Sequence, residues 1–232
     1  MRTLVLFDID GTLVDTAGAG RLGLEASFRS VFGLDDVASA ASSVRYSGNT
    51  DPTIIADIAK AAGLPPSIVE SRYVDLQTAY VAALRFELQR PNPRRRVLPG
   101  VGPLLRSLAS RRDVSLGLVT GNIEEGARVK LDAFGLNRYF SDGGFSSDHP
   151  ERSEIARIAH QKLSHRAGFR FPPNRVIVIG DTELDVACAR ANGFRAIAVV
   201  SGSASREQLA AARPDALFDD LTDAGAVLAA ME

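Results

Sequence analysis

The chain has 232 residues, 45% of them hydrophobic, with 27 basic against 28 acidic side chains and a formal net charge of −1. This fits a soluble globular protein with one large domain, or one domain carrying an insertion. The balanced charge excludes the basic excess of nucleic-acid binding, and no apolar run reaches membrane-spanning length.

The first element is an apolar run over residues 4–7, which reads as a strand and ends in Asp8-Ile9-Asp10-Gly11-Thr12-Leu13. Alternation along a strand starts both carboxylates on one face, and Gly11 lets the chain turn away. Two anions so close call for a divalent cation, without which repulsion would neutralise one of them. Residues 16–90 contain no obvious buried strand. Their apolar positions are spaced as in helices, with residues 63–66 separating two of them and Ser67 as the expected N-cap of the next. Pro91 and Pro93 mark the return, Arg94-Arg95-Arg96 reads as a solvated linker, and a helix is expected after Gly100.

From residue 114 onward strands alternate with helices. Strands are expected at 115–119, 144–145, 175–179, 196–200 and 216–218, and helices at 124–134, 152–163, 183–192, 206–212 and 224–230. Such alternation builds right-handed crossovers and a parallel sheet covered on both faces, an α/β fold. Ligands then bind outside the carboxyl ends of the strands. Three polar clusters fall at such ends: the Asp8 cluster, Thr120-Gly121-Asn122 after the second strand, and Gly180-Asp181-Thr182-Glu183-Leu184-Asp185 after residues 176–179. Cys188, the single cysteine, lies in a small-residue helical stretch and reads as a core thiol. It has no intramolecular disulfide partner, which fits a reducing compartment. His149, His160 and His165 lack zinc-ligand spacing, and the last two are expected on a surface helix face.

In order and spacing these clusters resemble the first, second and fourth motifs of the haloacid dehalogenase-like hydrolase superfamily. The resemblance implies a Rossmann-like parallel sheet core, residues 1–15 and 94–232, with an inserted all-α helical cap of the C1 type, residues 16–93. The hinge between them is expected near 16–20 and 91–99. It implies a phosphatase acting on a small-molecule phosphomonoester through an aspartyl phosphate: Asp8 as nucleophile, Asp10 as general acid and base, and Mg²⁺ held by Asp8, the Asp10 carbonyl and Asp181, with Asp185 supporting from a second layer. Thr120, Gly121 and Asn122 are implied to bind the phosphate.

The third motif departs from the commoner pattern, since no lysine stands in residues 147–155. Arg152 is the first candidate for the missing cation, with Lys130 and Lys162 as alternatives. In the insertion, residues 45–52 resemble the Gly-x-Thr-Asp segment of phosphoglycolate phosphatase-like members. This makes Arg45, Gly48 and Asn49 the candidate substrate contacts, while Thr50 or Asp51 with Pro52 also reads as a helix start. The expected substrate is phosphoglycolate-like or a sugar phosphate. A sugar phosphomutase and a non-catalytic phosphate-ligand binding protein are the competing readings. The expected partners are a small phosphate ester, with no nucleic acid and no membrane. With no charged leader ahead of the first strand, a cytoplasmic location is expected, and no oligomeric state follows from the pattern.

Overall fold

The computed structural model describes residues 2–232, so Met1 of the expected first segment lies outside the described residues. The apolar run forms β1 (Thr3–Phe7), followed after a tight turn by β2 (Val14–Asp15). Five helices come next: α1 (Ala19–Phe32), α2 (Val37–Ser42), α3 (Asp51–Ala61), α4 (Pro66–Ser71) and α5 (Tyr73–Gln89). The chain returns through β3 (Arg96–Val97) to α6 (Val101–Ala109), β4 (Val114–Val119), α7 (Glu124–Asp132), β5 (Gly143–Gly144) and α8 (Arg152–Arg166). It ends with β6 (Val176–Gly180), α9 (Glu183–Ala191), β7 (Arg195–Val199), α10 (Arg206–Ala211), β8 (Ala216–Phe218) and α11 (Ala224–Ala230).

Six strands form one sheet in the order β5-β4-β1-β6-β7-β8, and every neighbouring pair is parallel. β1 lies inside the sheet, paired with β4 on one side and β6 on the other. The chain therefore crosses from one flank of β1 to the other, and the carboxyl ends of β1, β4 and β6 open onto the crevice at that reversal. Period-two alternation divides the core. Val5, Phe7, Ile177 and Ile179 pack with α6, α7 and α11, whereas Leu4, Leu6, Val176 and Val178 pack with α8, α9 and α10. Burial on both faces explains why these strands read as continuous apolar runs.

The inserted helices have an apolar cluster of their own, built from Leu24, Phe28, Ile55, Ile58, Leu76, Tyr80 and Leu84. Ile123 and Val129, at the start and on the flank of α7, belong to the same cluster, so the insertion packs directly against the second-motif loop and its helix. Among the described residues no helix is long and apolar enough to cross a membrane.

Several expectations are corrected. The two passages between sheet and insertion are zipped together by an antiparallel ribbon, Val14 opposite Val97 and Asp15 opposite Arg96. Arg95 is no solvated linker residue: its side chain is 9% exposed and donates to the carbonyls of Thr16 (3.2 Å), Arg90 (2.6 Å) and Glu87. Unsatisfied carbonyls at the end of α5 draw the guanidinium inward, where its fixed fork serves several acceptors. Ser67 does not cap α4; Pro65 is the cap residue and Pro66 occupies the first turn, where a missing N–H costs nothing. His160 is buried, with a ring nitrogen 2.8 Å from the Phe171 carbonyl and its ring edge-on to Phe194. That carbonyl partner lets an imidazole occupy a core position.

Gly100 begins α6 with φ 78°, and a Cβ there would lie 1.8 Å from the Leu221 carbonyl carbon. Gly102, two residues on, has only the flexible end of Arg106 near its missing Cβ. Gly100→Ala is expected to cost about 2 kcal/mol or more in denaturant unfolding, whereas Gly102→Ala gains about 0.5–1 kcal/mol.

Candidate active site

β1 ends at Phe7, and the backbone then turns around Ile9, whose carbonyl accepts from the N–H groups of Leu13 (2.9 Å) and Val14 (3.1 Å). The two aspartates are therefore beyond the regular strand, and the alternation that would keep them on one face no longer governs them. Asp8 continues the ladder through its N–H to Ile179 O (3.0 Å), and its carboxylate meets Arg152 Nη2 at 3.0 Å. Asp10 instead meets Lys130 Nζ at 2.6 Å and Asn122 Nδ2 at 2.9 Å.

Two separate polar networks result. In the first, Arg152, from the start of α8, reaches Asp8 and Asp185 together and donates through Nη1 to Gly48 O at 3.2 Å. Asp185 is engaged on both oxygens. Oδ1 accepts from Arg152, while Oδ2 accepts the N–H (3.0 Å) and hydroxyl (2.7 Å) of Thr182 in the capping box that opens α9. In the second, Thr120 Oγ1 accepts from Asn122 Nδ2 (2.7 Å) and Lys130 Nζ donates to Asn122 Oδ1 (2.6 Å). Thr120, Asn122, Asp10 and Lys130 thus form one chain from the end of β4 to the end of β1.

Asp8, Asp181 and Asp185 each offer a carboxylate oxygen within 4.8 Å of the others, all buried. Asp181 sits in a slot between two glycines: a Cβ on Gly11, where φ is +81°, would lie 2.5 Å from its Oδ2, and one on Gly202 1.7 Å from it. Its hydrogen-bond donor is the Thr12 hydroxyl at 3.1 Å, and it makes no ion pair among the described residues. Burial, then the neighbouring Asp185 and Asp8, push the Asp181 pKa well above the usual carboxylate range. Asp8 is pushed up to about 6, chiefly by burial, with Arg152 opposing and Asp185 and Asp10 adding to it. With all three carboxylates ionised, one guanidinium leaves two negative charges unmatched, a deficit that suits a hard divalent cation with oxygen ligands.

The insertion closes the crevice. Asp51 donates its N–H to Gly121 O (2.7 Å) and accepts the N–H of Ile123 (2.8 Å), the cap residue of α7. Thr50 caps α3 through its backbone, its hydroxyl instead lying 2.9 Å from Pro150 O. Burial, opposed by Lys130 and the Ile123 N–H, pushes Asp51 up to about 6. The cavity between sheet and insertion, about 380 Å³ and open to solvent, is lined by Asp8, Asp10, Thr120, Gly121, Asn122, Lys130, Arg152 and Asp181 from the sheet side and by Gly48 and Asn49 from the insertion.

Arg45 does not line this cavity. Its guanidinium meets Glu183 at 2.5 Å, joining the insertion to α9 across the rim. Lys162 is likewise away from it, paired with Asp148 at 2.7 Å. Arg152 and Lys130 both line the cavity, on different carboxylates. Lys130, expected only as a stand-in third-motif cation, lies beside Asp10, a placement that the motif pattern does not show. A signal was available, since Ala127, Lys130, Leu131 and Phe134 follow the spacing of a buried helix stripe with lysine at an apolar position. Asp51, expected only as a helix start, also lines the cavity.

The haloacid dehalogenase-like hydrolase model matches residues 5–199, from β1 through β7. Phosphoglycolate phosphatase of Synechococcus elongatus is 30% identical over 221 residues, covering 94% of this chain and 93% of its own. Among solved structures, CbbY from Rhodobacter sphaeroides in complex with phosphate has a TM-score of 0.72 at 20% identity, covering 97% of both chains. A hydrolase from Pseudomonas syringae reaches 0.72 at 19% identity over 98% of both. With acidic, threonine and basic groups gathered at the ends of β1, β4 and β6 and the matched span running through all three strands, the chain belongs to the haloacid dehalogenase-like hydrolase family.

Proposed function

We propose that the protein is a Mg²⁺-dependent phosphomonoesterase that hydrolyses a small phosphate ester, phosphoglycolate-like or a sugar phosphate, through a phosphoaspartate on Asp8. The observation that carries this reading is the separation of the two carboxylates at the end of β1: Asp8 faces Arg152 and the acidic cluster, Asp10 faces Lys130 and Asn122. A nucleophile and a proton carrier need different surroundings, and here each has its own cation.

In the first step an Asp8 oxygen attacks phosphorus; the new O–P bond forms as the ester P–O bond breaks, and Asp10 delivers a proton to the departing alkoxide. In the second, Asp10 takes a proton from water, whose oxygen attacks phosphorus and frees the Asp8 carboxylate. Lys130 and Asn122 both bind Oδ2 of Asp10, leaving Oδ1 for the transferred proton. The Thr120 hydroxyl, already accepting from Asn122, keeps its own proton for a phosphate oxygen, joined by the N–H groups of Gly121 and Asn122. Arg152 offsets the phosphate charge beside Asp8, the role a third-motif lysine has in relatives. Asp8, Asp181 and the Asp10 carbonyl would hold Mg²⁺, with Asp185 fixed behind them by Thr182 and Arg152. When bound, the metal supplies charge neutralisation for the phosphoryl group.

In this reading residues 1–15 and 94–232 carry the chemistry and residues 16–93 act as the cap, opening about a hinge near 16–20 and 91–99. Gly48 and Asn49 present the cap backbone to the substrate, and Arg45 fastens the rim. The lone buried thiol of Cys188 fits a cytoplasmic setting.

Free phosphate should be released from a panel of small phosphomonoesters only with Mg²⁺, and Asp8→Asn should lower kcat by about a thousandfold or more. Isomerised sugar phosphate without free phosphate would instead indicate a mutase, and binding without turnover a ligand-binding protein.

Arg152→Ala should weaken phosphate binding and slow turnover together by about a hundredfold, and it should lower the melting temperature, because it leaves Asp8 and Asp185 buried without their cation. An unaltered rate would refute the assigned role.

Asp8, raised from 3.8 to about 6, favours the folded metal-free state below its unfolded pKa, and that contribution is lost as pH rises through about 6. Metal requires the ionised carboxylates, so Mg²⁺ should raise the melting temperature much more at about pH 8 than at about pH 5. Equal metal stabilisation at both values would contradict a site built on Asp8.

A further inference from the structure

Three cationic side chains line the cavity: Arg152, Lys130 and Arg21. The first two are buried and engaged by the catalytic carboxylates. Arg21 is different. It projects from α1 with a half-exposed side chain, and its one ion pair, Nε to Glu25 Oε1 at 2.7 Å, is made one helical turn along. Its terminal nitrogens make no hydrogen bond among the described residues. Glu25, nearly buried, fixes the stem and leaves the outer fork of the guanidinium open to the cavity.

A second donor stands beside it. The Tyr46 hydroxyl is buried, lines the same cavity and has no hydrogen-bond partner among the described residues. Burial, with Arg21 opposing and Glu25 adding, pushes it up to about 12, so it carries its proton at neutral pH. A buried hydroxyl without a partner costs about 1–3 kcal/mol, a deficit that a bound acceptor removes. Both donors belong to the insertion, opposite the carboxylates at the strand ends.

Resting on the phosphomonoesterase reading above, we infer that Arg21 and Tyr46 form a subsite for a second oxyanion, and that the preferred substrates are short phosphomonoesters whose leaving group bears a carboxylate. Glu25 already balances part of the Arg21 charge, so the remaining fork suits a monoanion better than a phosphate dianion. Leu24 and Ile54 also line the cavity and offer apolar contact to a short carbon chain between the two anionic groups. A volume of about 380 Å³ is at the small end for ligand cavities, which run from about 300 to 1,000 Å³, and fits a leaving group of a few carbons.

The test compares kcat/KM for phosphoglycolate, its uncharged analogue 2-hydroxyethyl phosphate, ethylene glycol bisphosphate and glucose 6-phosphate, in the native protein and in Arg21→Gln, Arg21→Lys and Tyr46→Phe. The native protein should favour phosphoglycolate over the uncharged analogue by at least about tenfold, the yield of one charge-assisted contact. Arg21→Gln should collapse that ratio, mainly through KM, with Arg21→Lys retaining part of it and Tyr46→Phe reducing it less. A native ratio near one, or a ratio unmoved in Arg21→Gln, overturns the subsite. A bisphosphate preferred over phosphoglycolate assigns the subsite to a second phosphate and overturns the carboxylate. If no ester releases phosphate, the phosphomonoesterase reading fails on its own. Calorimetric titration of the native protein and Arg21→Gln with phosphoglycolate and 2-hydroxyethyl phosphate then decides the subsite: affinity lost only for phosphoglycolate supports it, and equal affinities overturn it.

Discussion

The rest of the structure depends on how buried negative charge is held at the carboxyl ends of β1 and β6. Asp8, Asp181 and Asp185 lie within 4.8 Å of one another with Arg152 as their cation. Arg152 occupies the first position of α8, where the helix dipole disfavours a positive charge. The carboxylates reverse that preference, and α8 is anchored by the same contacts that order the site. Because β1 is inside the sheet with β6 as its neighbour, Asp8 and Asp181 meet without any long loop to bring them together.

Asp10 escapes this cluster because the strand ends before it. Its carboxylate turns to Lys130 and Asn122, on the α7 side of the sheet, so the two aspartates have different hydrogen-bond partners although a single residue separates them. The loop joining β4 to α7 carries Thr120, Gly121 and Asn122 and is also held by the insertion. Asp51 holds it by an N–H to Gly121 O and by accepting from Ile123 N–H, so the position of the helical insertion and the conformation of residues 120–123 are one problem. Ile123 and Val129 extend that coupling into apolar packing.

Elements set by local pattern were legible in the sequence. Buried parallel strands read as apolar runs, and the polar clusters stood out because each interrupts such a run at its carboxyl end. What stayed hidden depends on partners far along the chain. Arg95 looks like part of a basic linker, and only the ends of α5 and the Thr16 carbonyl make it a buried tie. His160 reads as a surface residue until the Phe171 carbonyl arrives to receive it. Lys130 reads as a candidate stand-in for the third-motif cation, and its pairing with Asp10 shows only in the fold. Arg45, adjacent to a glycine-centred loop, pointed to substrate, but Glu183 of α9 draws it to the rim. The common cause is physical: the counter-group of each charged or polar side chain lies far along the chain, so the local pattern assigns Arg95 and His160 to water and Arg45 and Lys130 to other partners.

The same logic separates chemistry from selectivity in this molecule. The strand ends are fixed by mutual charge compensation, so altering any member of the Asp8, Asp181, Asp185 and Arg152 set disturbs the others. The insertion wall has no such constraint. Arg21 is oriented by Glu25 on its own helix, and the hydroxyl of Tyr46 comes from the loop before α3; neither bonds to a catalytic group. A leaving group can therefore be read by residues whose replacement leaves the charge balance of the strand ends untouched. A helical insertion facing a fixed acidic cluster is thus the part of this fold where substrate preference can change without rebuilding the site that breaks the bond.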